Sequence, residues 1–505
     1  MSILRKRSVE SILEEARKKT FNPTMKTLDL VLFGIGAIIG SGILVLTGKA
    51  SAEAGPAVIF SFLIAGLACC LAALCYAELA STIPSSGSTY TYLYVSVGEI
   101  VAYIVGWVLI GGYVLTSATV ANGWSSYFAR LLAGLGLNLP KEFITLPSQG
   151  GYGNIPAVII VLVITFILSK GTSSSKAVNN LMVAAKVGIV ILFLVVGAFY
   201  VEPTNWTNDF APTGFQGVML AATTVFFAYL GFDAISTSAE ETINPEKAVP
   251  RAIIITMIIC TAFYILVCLV LTGIVNYSEL GQGDALAYVL EVVGQHKVAG
   301  IISLGAVIGL MAGILSFMFA GIRITYTIAR DGLLPNNLTA LNKNKVPSIV
   351  TWGLGITISL LAGFLPLGQL ADLANLASII AFALVSYTTI VFSKKYPDLK
   401  RGFRVPLMPF LPILSIILFV GLLTSITATT WTIFAVWVAL GVVVYFAYSY
   451  KNSKLKDEEL VKKSRGYKNL YSFFINSINL FYLLSPSFVL FDIQLNILYQ
   501  VLLHI

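Results

Sequence analysis

The first apolar stretch of the chain contains four glycines and one serine within residues 34–43. A helix of that composition is weak, and a membrane offers no water to the backbone groups that a break would expose. We therefore predict a break near residues 40–42 that lines a cavity or packs against protein. The half-helix after the break would present free backbone N–H groups and the positive end of a helix dipole, which attract a carboxylate. The alternative is that these glycines only allow close helix packing.

A second apolar stretch reads Phe-Phe-Ala-Tyr-Leu-Gly-Phe-Asp at residues 226–233, with a glycine and a carboxylate at its centre. The opened carbonyl groups of both breaks would suit an ammonium group, so the two breaks together predict a site for a zwitterion such as an α-amino acid. Two interrupted helices at corresponding positions are typical of a secondary transporter built from two repeats. We expect Phe226 or Phe227 to close over the ligand as a lid, although aromatic residues in apolar stretches are more often core packing.

Two ionisable residues lie inside apolar stretches. Lys186 is ten residues beyond Lys176, which places it about 15 Å from the inner edge, too deep to reach the surface. We predict that Lys186 exchanges a proton during transport, since an intramembrane ionisable group is a functional candidate; the alternative is a permanently paired structural lysine. Asp233 could take part in proton coupling, contact a cationic substrate or cap the second half-helix.

The composition indicates the elements that must position these residues. The chain has 505 residues, of which 57% are hydrophobic and 11% charged, which excludes a soluble fold of this size. We predict an all-α integral membrane protein with about twelve transmembrane helices. The predicted spans lie near residues 27–48, 56–81, 92–128, 155–169, 177–201, 215–237, 252–275, 298–329, 348–365, 370–393, 406–428 and 431–450.

The charge distribution predicts the orientation of these spans. Most Lys and Arg residues lie before the first span, in connections after even-numbered spans or after the last span, so we expect both termini in the cytoplasm. The basic groups at residues 5–7, 17–19 and 394–404 are interpreted as topology signals, with a lipid-headgroup or regulatory site as the alternative. The net charge of +8 therefore does not indicate nucleic acid. The charged first 26 residues predict no cleavable signal peptide.

Other features argue against several classes of site. All five cysteines fall in spans two and seven, and the external loop at residues 129–154 has none, so we expect no disulfide-linked heavy chain. His296 and His504 give no metal-ligand spacing, and we predict neither a metal nor a cofactor. The spans contain no His cluster, activated nucleophile or paired catalytic carboxylates, so we expect no enzyme. A membrane sensor that binds amino acids without moving them is a remote alternative.

Residues 36–43, residues 179–182 leading to Lys186, and residues 226–241 resemble the amino acid, polyamine and organocation (APC) transporter superfamily. The last of these segments is most similar to bacterial members of the cationic amino acid transporter family. The resemblance covers roughly residues 25–450. It implies a leucine-transporter-like fold of five-plus-five inverted repeats with helices 1 and 6 broken, and uptake of amino acids with protons across the plasma membrane.

The resemblance also implies roles for particular residues beside the break at Gly40. The lysine that matches Lys186 takes the place of a sodium ion in sodium-coupled relatives. The backbone N–H groups that meet the substrate carboxylate match Ser41, Gly42 and Ile43. The carbonyl groups that meet its amino group match Ile38, Phe227, Ala228 and Leu230.

Span three departs from the pattern of these relatives. Many of them have Gly-Trp-x-Leu-x-Leu-Glu-Tyr, whereas this chain has Gly-Trp-Val-Leu-Ile-Gly-Gly-Tyr at residues 106–113. The specificity pocket at Gly111 and Gly112 therefore lacks a carboxylate and has room for bulk, and we expect Tyr113 to bind the substrate beside it. We predict uptake of neutral amino acids. Asp233 leaves open a cationic amino acid or polyamine transporter, or an exchanger.

We divide the chain into five predicted segments. Residues 1–26 form a basic cytoplasmic tail, either solvated or with an amphipathic turn at residues 9–16 on the inner surface. Residues 27–205 form the first repeat, with spans one to five, and residues 206–393 form the second, with spans six to ten. Residues 394–450 contain spans eleven and twelve, and residues 451–505 form a cytoplasmic or membrane-associated tail.

Overall fold

A computed structural model describes residues 5–8 and 24–456, except residues 41, 84, 86, 148–149, 172–174, 208, 282 and 400 and the side chains of residues 175–180 and 240. The predicted amphipathic turn at residues 9–16, the basic group at residues 17–19 and residues 466–505 lie outside this part of the chain. The chain divides into two compact units, Met1–Tyr450 and Lys451–Ile505. The first unit contains all of the candidate site residues.

The described residues of the first unit form helices, joined by turns and one isolated backbone bridge between Met25 and Thr242. Proline and glycine mark several helix ends, as at Pro245, which begins a helix after Asn244 in the left-handed conformation. The helices of six or more residues are α1 Thr27–Ile38, α2 Thr47–Ala54, α3 Val58–Thr82, α4 Ser88–Ser96, α5 Glu99–Gly134, α6 Ile155–Ser169, α7 Ser175–Gly197, α8 Gly214–Phe226, α9 Phe232–Thr237, α10 Pro245–Ile274, α11 Ala285–Val292, α12 His296–Arg330, α13 Ser348–Phe364, α14 Leu367–Lys395, α15 Phe410–Leu423 and α16 Ala428–Val444.

The lengths of these helices fit a membrane. Within the described residues, eight helical stretches are long and apolar enough to cross a bilayer, and α6, α13 and α15 are shorter apolar helices. The first of the eight, Thr27–Thr82, contains two of the predicted spans and the first predicted break. The prediction of an all-helical membrane protein is confirmed, while the twelve crossings and the inverted repeat stay predictions.

Helix packing brings the two interrupted stretches together. Helix α1 packs against α7, α10 and α12, and α9 packs against α1, α3 and α10. Helix α5 packs against both α12 and α14. The sequence-distant parts of the predicted site therefore meet between α1, α5, α9, α10 and α12.

A pair of tryptophans joins α5 to α16. The rings of Trp107 and Trp437 stack with centroids 4.7 Å apart. Each indole N–H donates to the backbone carbonyl of the other residue, at 3.0 Å from Trp107 and 3.4 Å from Trp437. A Cβ atom at Gly111 would come within 2.7 Å of the Trp437 indole nitrogen, and one at Gly441 within 2.6 Å of the Trp107 ring. Both glycines are therefore required for this close approach.

The N-terminal basic group packs against the helices. Arg7 forms an ion pair with Asp331, at 2.9 Å, just after α12. Arg5 is 3% exposed, its carbonyl accepts the N–H of Glu99 at 2.8 Å, and its guanidinium lies 4.0 Å from the Glu99 carboxylate. Lys6 Nζ donates to the carbonyl of Ser96 at 2.9 Å. This part of the predicted tail therefore forms a strap, residues 5–7, across the ends of α4, α5 and α12.

Candidate substrate site between two broken helices

The first break interrupts the chain at residues 39–41. Helix α1 ends at Ile38, Ile39 is extended, and a single π-helical turn, Gly42–Leu46, leads into α2. Gly34 lies within regular helix, where a Cβ atom would come within 2.9 Å of the Thr256 side chain, so close packing accounts for that glycine. The break itself falls at the predicted position, and Ser41 lies outside the described residues.

The second break separates α8 from α9. A 3₁₀ turn, Phe227–Tyr229, is followed by Leu230 in an extended conformation and by Gly231 with φ of +119°. Only glycine adopts that conformation readily. A Cβ atom on Gly231 would also come within 2.8 Å of Ala37 in α1. Any other residue at this position would therefore strain the backbone and clash with Ala37.

The two breaks touch each other. A Cβ atom on Gly42 would lie 2.8 Å from the backbone nitrogen of Ala228 and 2.5 Å from its Cβ atom. Tyr264 of α10 joins them from the side, because its hydroxyl lies 2.9 Å from the carbonyl oxygen of Ile38 and 2.6 Å from that of Ala228. Its single proton serves these two acceptors, and each carbonyl keeps a lone pair for a second donor. The contact produces a small region in which carbonyls of both breaks converge.

Lys186 reaches this region from α7. Its ammonium nitrogen donates to the carbonyl oxygen of Gly36 at 2.7 Å, and the residue is fully buried. A Cβ atom on Gly309 of α12 would come within 2.7 Å of the Lys186 Cβ atom, so that glycine makes room for the side chain. Within the described part of the chain, no carboxylate lies at ion-pair distance from Lys186. One carbonyl satisfies only one of the three donors of an ammonium group.

Asp233 lies at the start of α9 and faces α5. Its carboxylate accepts a hydrogen bond from the hydroxyl of Tyr113, and its other oxygen accepts the N–H of Gly231 at 3.3 Å. The second bond resembles half of a capping box, in which a first-turn side chain accepts the N–H of the cap residue. The capping alternative for Asp233 thus has a structural basis, and the Tyr113 contact joins the carboxylate to the cavity beside it.

A small cavity adjoins the second break, with room for about one water molecule. Gly112 lines it, and a Cβ atom there would lie 3.3 Å from the Ala377 Cβ atom, a tight contact that requires Ala377 to shift by a few tenths of an ångström. Gly111, the other half of the predicted specificity pocket, instead faces Trp437. The lining residues are Leu109, Gly112, Tyr113, Thr116, Leu230, Asp233, Phe317 and Ser378.

The predicted lid residues do not line this cavity, and their role as a lid stays a prediction. Phe226 packs against Phe382 and Phe419, with ring centroids 5.9 and 6.0 Å away, and Phe227 is buried without lining the cavity. The aromatic residues that line the cavity are Phe317 of α12 and Tyr113, with ring centroids 6.4 Å apart. Sequence reasoning missed Phe317 and Tyr264. The sequence signal that would have identified Tyr264 is a tyrosine within an apolar span, because a buried hydroxyl needs a hydrogen-bond partner.

Polar contacts join the helices on both sides of the site. On the side of α9, Ile243 N–H donates to the Met25 carbonyl at 2.8 Å, and Arg323 pairs with Glu241. On the other side, Arg130 of α5 pairs with Asp284 and Glu291 beside and within α11. The segment at residues 240–251 therefore contacts the chain just before α1.

The sequence was compared with known proteins. The model of the family described as amino acid permease matches residues 25–448. The chain is 46% identical over 458 residues to the methylthioribose transporter of Bacillus subtilis (strain 168), and 43% identical over 461 residues to the branched-chain amino acid permease BcaP of the same organism. Both alignments cover 90% of this chain and 99% of the relative. The chain is also 35% identical over 401 residues to cationic amino acid transporter 4 of Homo sapiens, covering 77% of this chain and 63% of that protein.

Proposed function

The chain belongs to the amino acid permease family, and on that premise we propose that it takes up neutral amino acids together with protons. Its family and its relatives identify a multi-pass membrane transporter and not an enzyme. We further propose the plasma membrane as its location, with both termini in the cytoplasm. The observation that carries the proposal is the convergence of carbonyls from two touching helix breaks beside Lys186.

The breaks provide for the groups that all amino acids share. The turn that starts at Gly42 directs its first N–H groups toward the break, where a carboxylate would bind. The carbonyl oxygens of Ile38 and Ala228 would accept an ammonium group with their remaining lone pairs. Phe227 and Leu230, whose carbonyls were expected to assist, belong to the same break. No charged side chain is needed to hold the backbone of the substrate.

The cavity at Gly112, which has room for about one water molecule in this structure, would widen to receive the substrate side chain. Leu109, Leu230 and Phe317 supply apolar walls, and span three contributes no carboxylate there. An apolar side chain would therefore bind better than a guanidinium group. The 43% identity to a permease named for branched-chain amino acids supports this substrate class. Asp233 is already bonded to Tyr113 and Gly231, so it is less available to a cationic substrate.

A second candidate substrate is a neutral thiosugar such as methylthioribose. The observation that favours it is the 46% identity to a transporter named for that compound. The cavity also has groups that bind hydroxyls, since Thr116, Ser378 and the Asp233 carboxylate all line it. Such a substrate would use these groups and would leave the carboxylate site of the first break unused.

Uptake into proteoliposomes tests both candidates. We expect radiolabelled leucine to accumulate under an inward proton gradient, and a protonophore to abolish the accumulation. Competition by the twenty amino acids and by methylthioribose then ranks the substrates. Competition by arginine and lysine alone would refute the neutral amino acid proposal. Accumulation that persists with the protonophore would refute proton coupling, and methylthioribose as the strongest competitor would favour the second candidate.

A further inference from the structure

Two segments that meet at one end of the helix bundle carry exposed lysines and contain no acidic residue. Residues 155–201 and residues 332–371 contain no Asp or Glu. The same segments carry Lys170 at the end of α6 and Lys343 and Lys345 in the connection before α13, all three exposed. Both connections follow even-numbered predicted spans, so the three lysines lie on the face predicted to be cytoplasmic.

The connection that carries Lys343 and Lys345 is held in a fixed position. The Asn342 side-chain amide donates to the carbonyl of Ser169 at 3.0 Å, and that of Asn344 donates to the carbonyl of Lys170 at 2.8 Å. These bonds satisfy carbonyls at the end of α6 that have no partner within the helix. The loop thereby places its lysines beside Lys170, whose ammonium lies 4.8 Å from the centre of the Phe166 ring.

An apolar groove lies directly beside these lysines. Lys345 is part of its lining, together with Pro347 and Arg323. Around it, Phe166, Leu341 and Ile349 are 52%, 41% and 49% exposed. The apolar side chains that line the groove are Leu168, Phe319, Ile322, Leu341 and Val346.

We propose that this groove, between α6, α12 and residues 341–347, binds an anionic phospholipid of the cytoplasmic leaflet. Lys343 and Lys345 contact the headgroup phosphate, and one acyl chain lies along Leu168, Ile322 and Leu341. Clusters of basic residues at the cytoplasmic end of transmembrane helices attract anionic lipids. A free anion would contact the lysines but would leave the apolar lining of the groove unoccupied. The inference uses the predicted orientation of the connections and is independent of the proposed substrate.

Native mass spectrometry of the purified full chain tests this inference. The protein is incubated with an equimolar mixture of phosphatidylglycerol and phosphatidylcholine, and the lipid retained on removal of detergent is counted. We expect retention of phosphatidylglycerol by the wild type and roughly 25-fold weaker retention by the Lys343→Gln/Lys345→Gln variant, since each lysine contributes ~5-fold. The matched control, Lys141→Gln/Lys297→Gln, removes two exposed lysines, one between α5 and α6 and one in the first turn of α12, and should retain the lipid.

The other outcomes are equally informative. Equal retention by the double variant and the control would overturn the proposal, as would equal retention of phosphatidylcholine and phosphatidylglycerol. Displacement of the lipid by inorganic phosphate alone would assign the lysines to a free anion instead. Leu341→Trp fills the groove without altering charge and should also weaken retention, which keeps the acyl-chain contact testable if the lysine variant melts early.

Discussion

Lys186 combines full burial with a neutral partner, the carbonyl of Gly36. A lysine whose only role was to neutralise a carboxylate would be found beside one, and within the described residues none lies at that distance. The carbonyl belongs to α1, two residues before its end at Ile38. A change in the protonation of Lys186 would thus be felt directly by the helix that forms one wall of the site.

We predict that Lys186→Ala abolishes accumulation driven by a proton gradient, reducing it to that of protein-free vesicles. The reason is that the variant retains the break but loses the ionisable group attached to it. Uptake into proteoliposomes measures the effect, and Lys141→Ala, an exposed lysine in the connection between α5 and α6, is the control. Lys186→Met keeps the side-chain volume, so a folded Met variant with wild-type accumulation would contradict the coupling role.

A second prediction concerns Gly112. This residue lines the cavity, whereas Gly111 packs against Trp437. Gly112→Glu should improve competition by lysine relative to leucine by about tenfold, or ~1.4 kcal/mol, because it places a carboxylate beside the substrate side chain. The competition panel measures the ratio. Gly112→Gln is the matched uncharged control, and an identical shift in both variants would show that shape and not charge is responsible.

The sequence alone singled out Lys186 and Gly112, but it did not reveal what Gly111 packs against. Depth along an apolar stretch is enough to single out Lys186, because helix rise converts residue count into distance. It does not say which way a residue faces, and Gly111 and Gly112 differ by about 100° around α5. The departure at Gly112 was therefore visible in the sequence, while the contact of Gly111 with Trp437 required the packing of α16.

At the scale of elements, the two broken helices meet at the contact between Gly42 and Ala228. Gly42 begins the π-helical turn and lies against the backbone and the methyl group of Ala228, so the two breaks are in direct contact. Glycine content predicted where each break occurs, since glycine and the membrane together leave few other places for it. That the two breaks touch, and that Tyr264 bonds to both, depends on the positions of three helices and is not encoded in any local pattern.

We predict that Gly42→Ala eliminates uptake while Gly40→Ala largely preserves it. The added methyl group at Gly42 would overlap Ala228, a clash that costs about 1–3 kcal/mol and separates the breaks. At Gly40 the nearest atoms are the carbonyl oxygens of Ala37 and Ile38, at 3.8 and 3.9 Å, which are ordinary contacts. Initial uptake rates and thermal unfolding in detergent measure the two effects. Equal activity of both variants would argue against a transport site at this contact.

At the scale of the whole unit, the strap at residues 5–7 ties distant helices together. Arg7 and Asp331 are far apart in sequence, and Tyr90 donates to the same carboxylate at 2.8 Å. Charge counting assigned residues 5–7 to topology, which is compatible with these contacts but does not reveal them. The helical stretches themselves followed from hydropathy, because only helices satisfy their own backbone inside a bilayer.

We predict that Arg7→Gln favours an open form in which the N-terminal end of α4 is exposed, because Arg7 and Tyr90 both bind the Asp331 carboxylate. Loss of an ion pair of ~1 kcal/mol would raise the population of the open form about fivefold. The measurement is the rate of maleimide labelling of a Ser88→Cys reporter, since Ser88 is buried and lies 2.6 Å from the Ser236 hydroxyl. Lys247→Gln is the exposed control. A labelling rate unchanged from that of the parent reporter would show that the strap does not hold this end of α4 closed.

The stacked pair of Trp107 and Trp437 has an optical consequence. Two indoles 4.7 Å apart, at 23° between their planes, are close enough for their electronic transitions to couple and to produce a paired circular dichroism band. Any sliding of α5 against α16 during a transport cycle would alter that band. Circular dichroism of this tryptophan pair would thus report the relative motion of α5 and α16 without an attached dye.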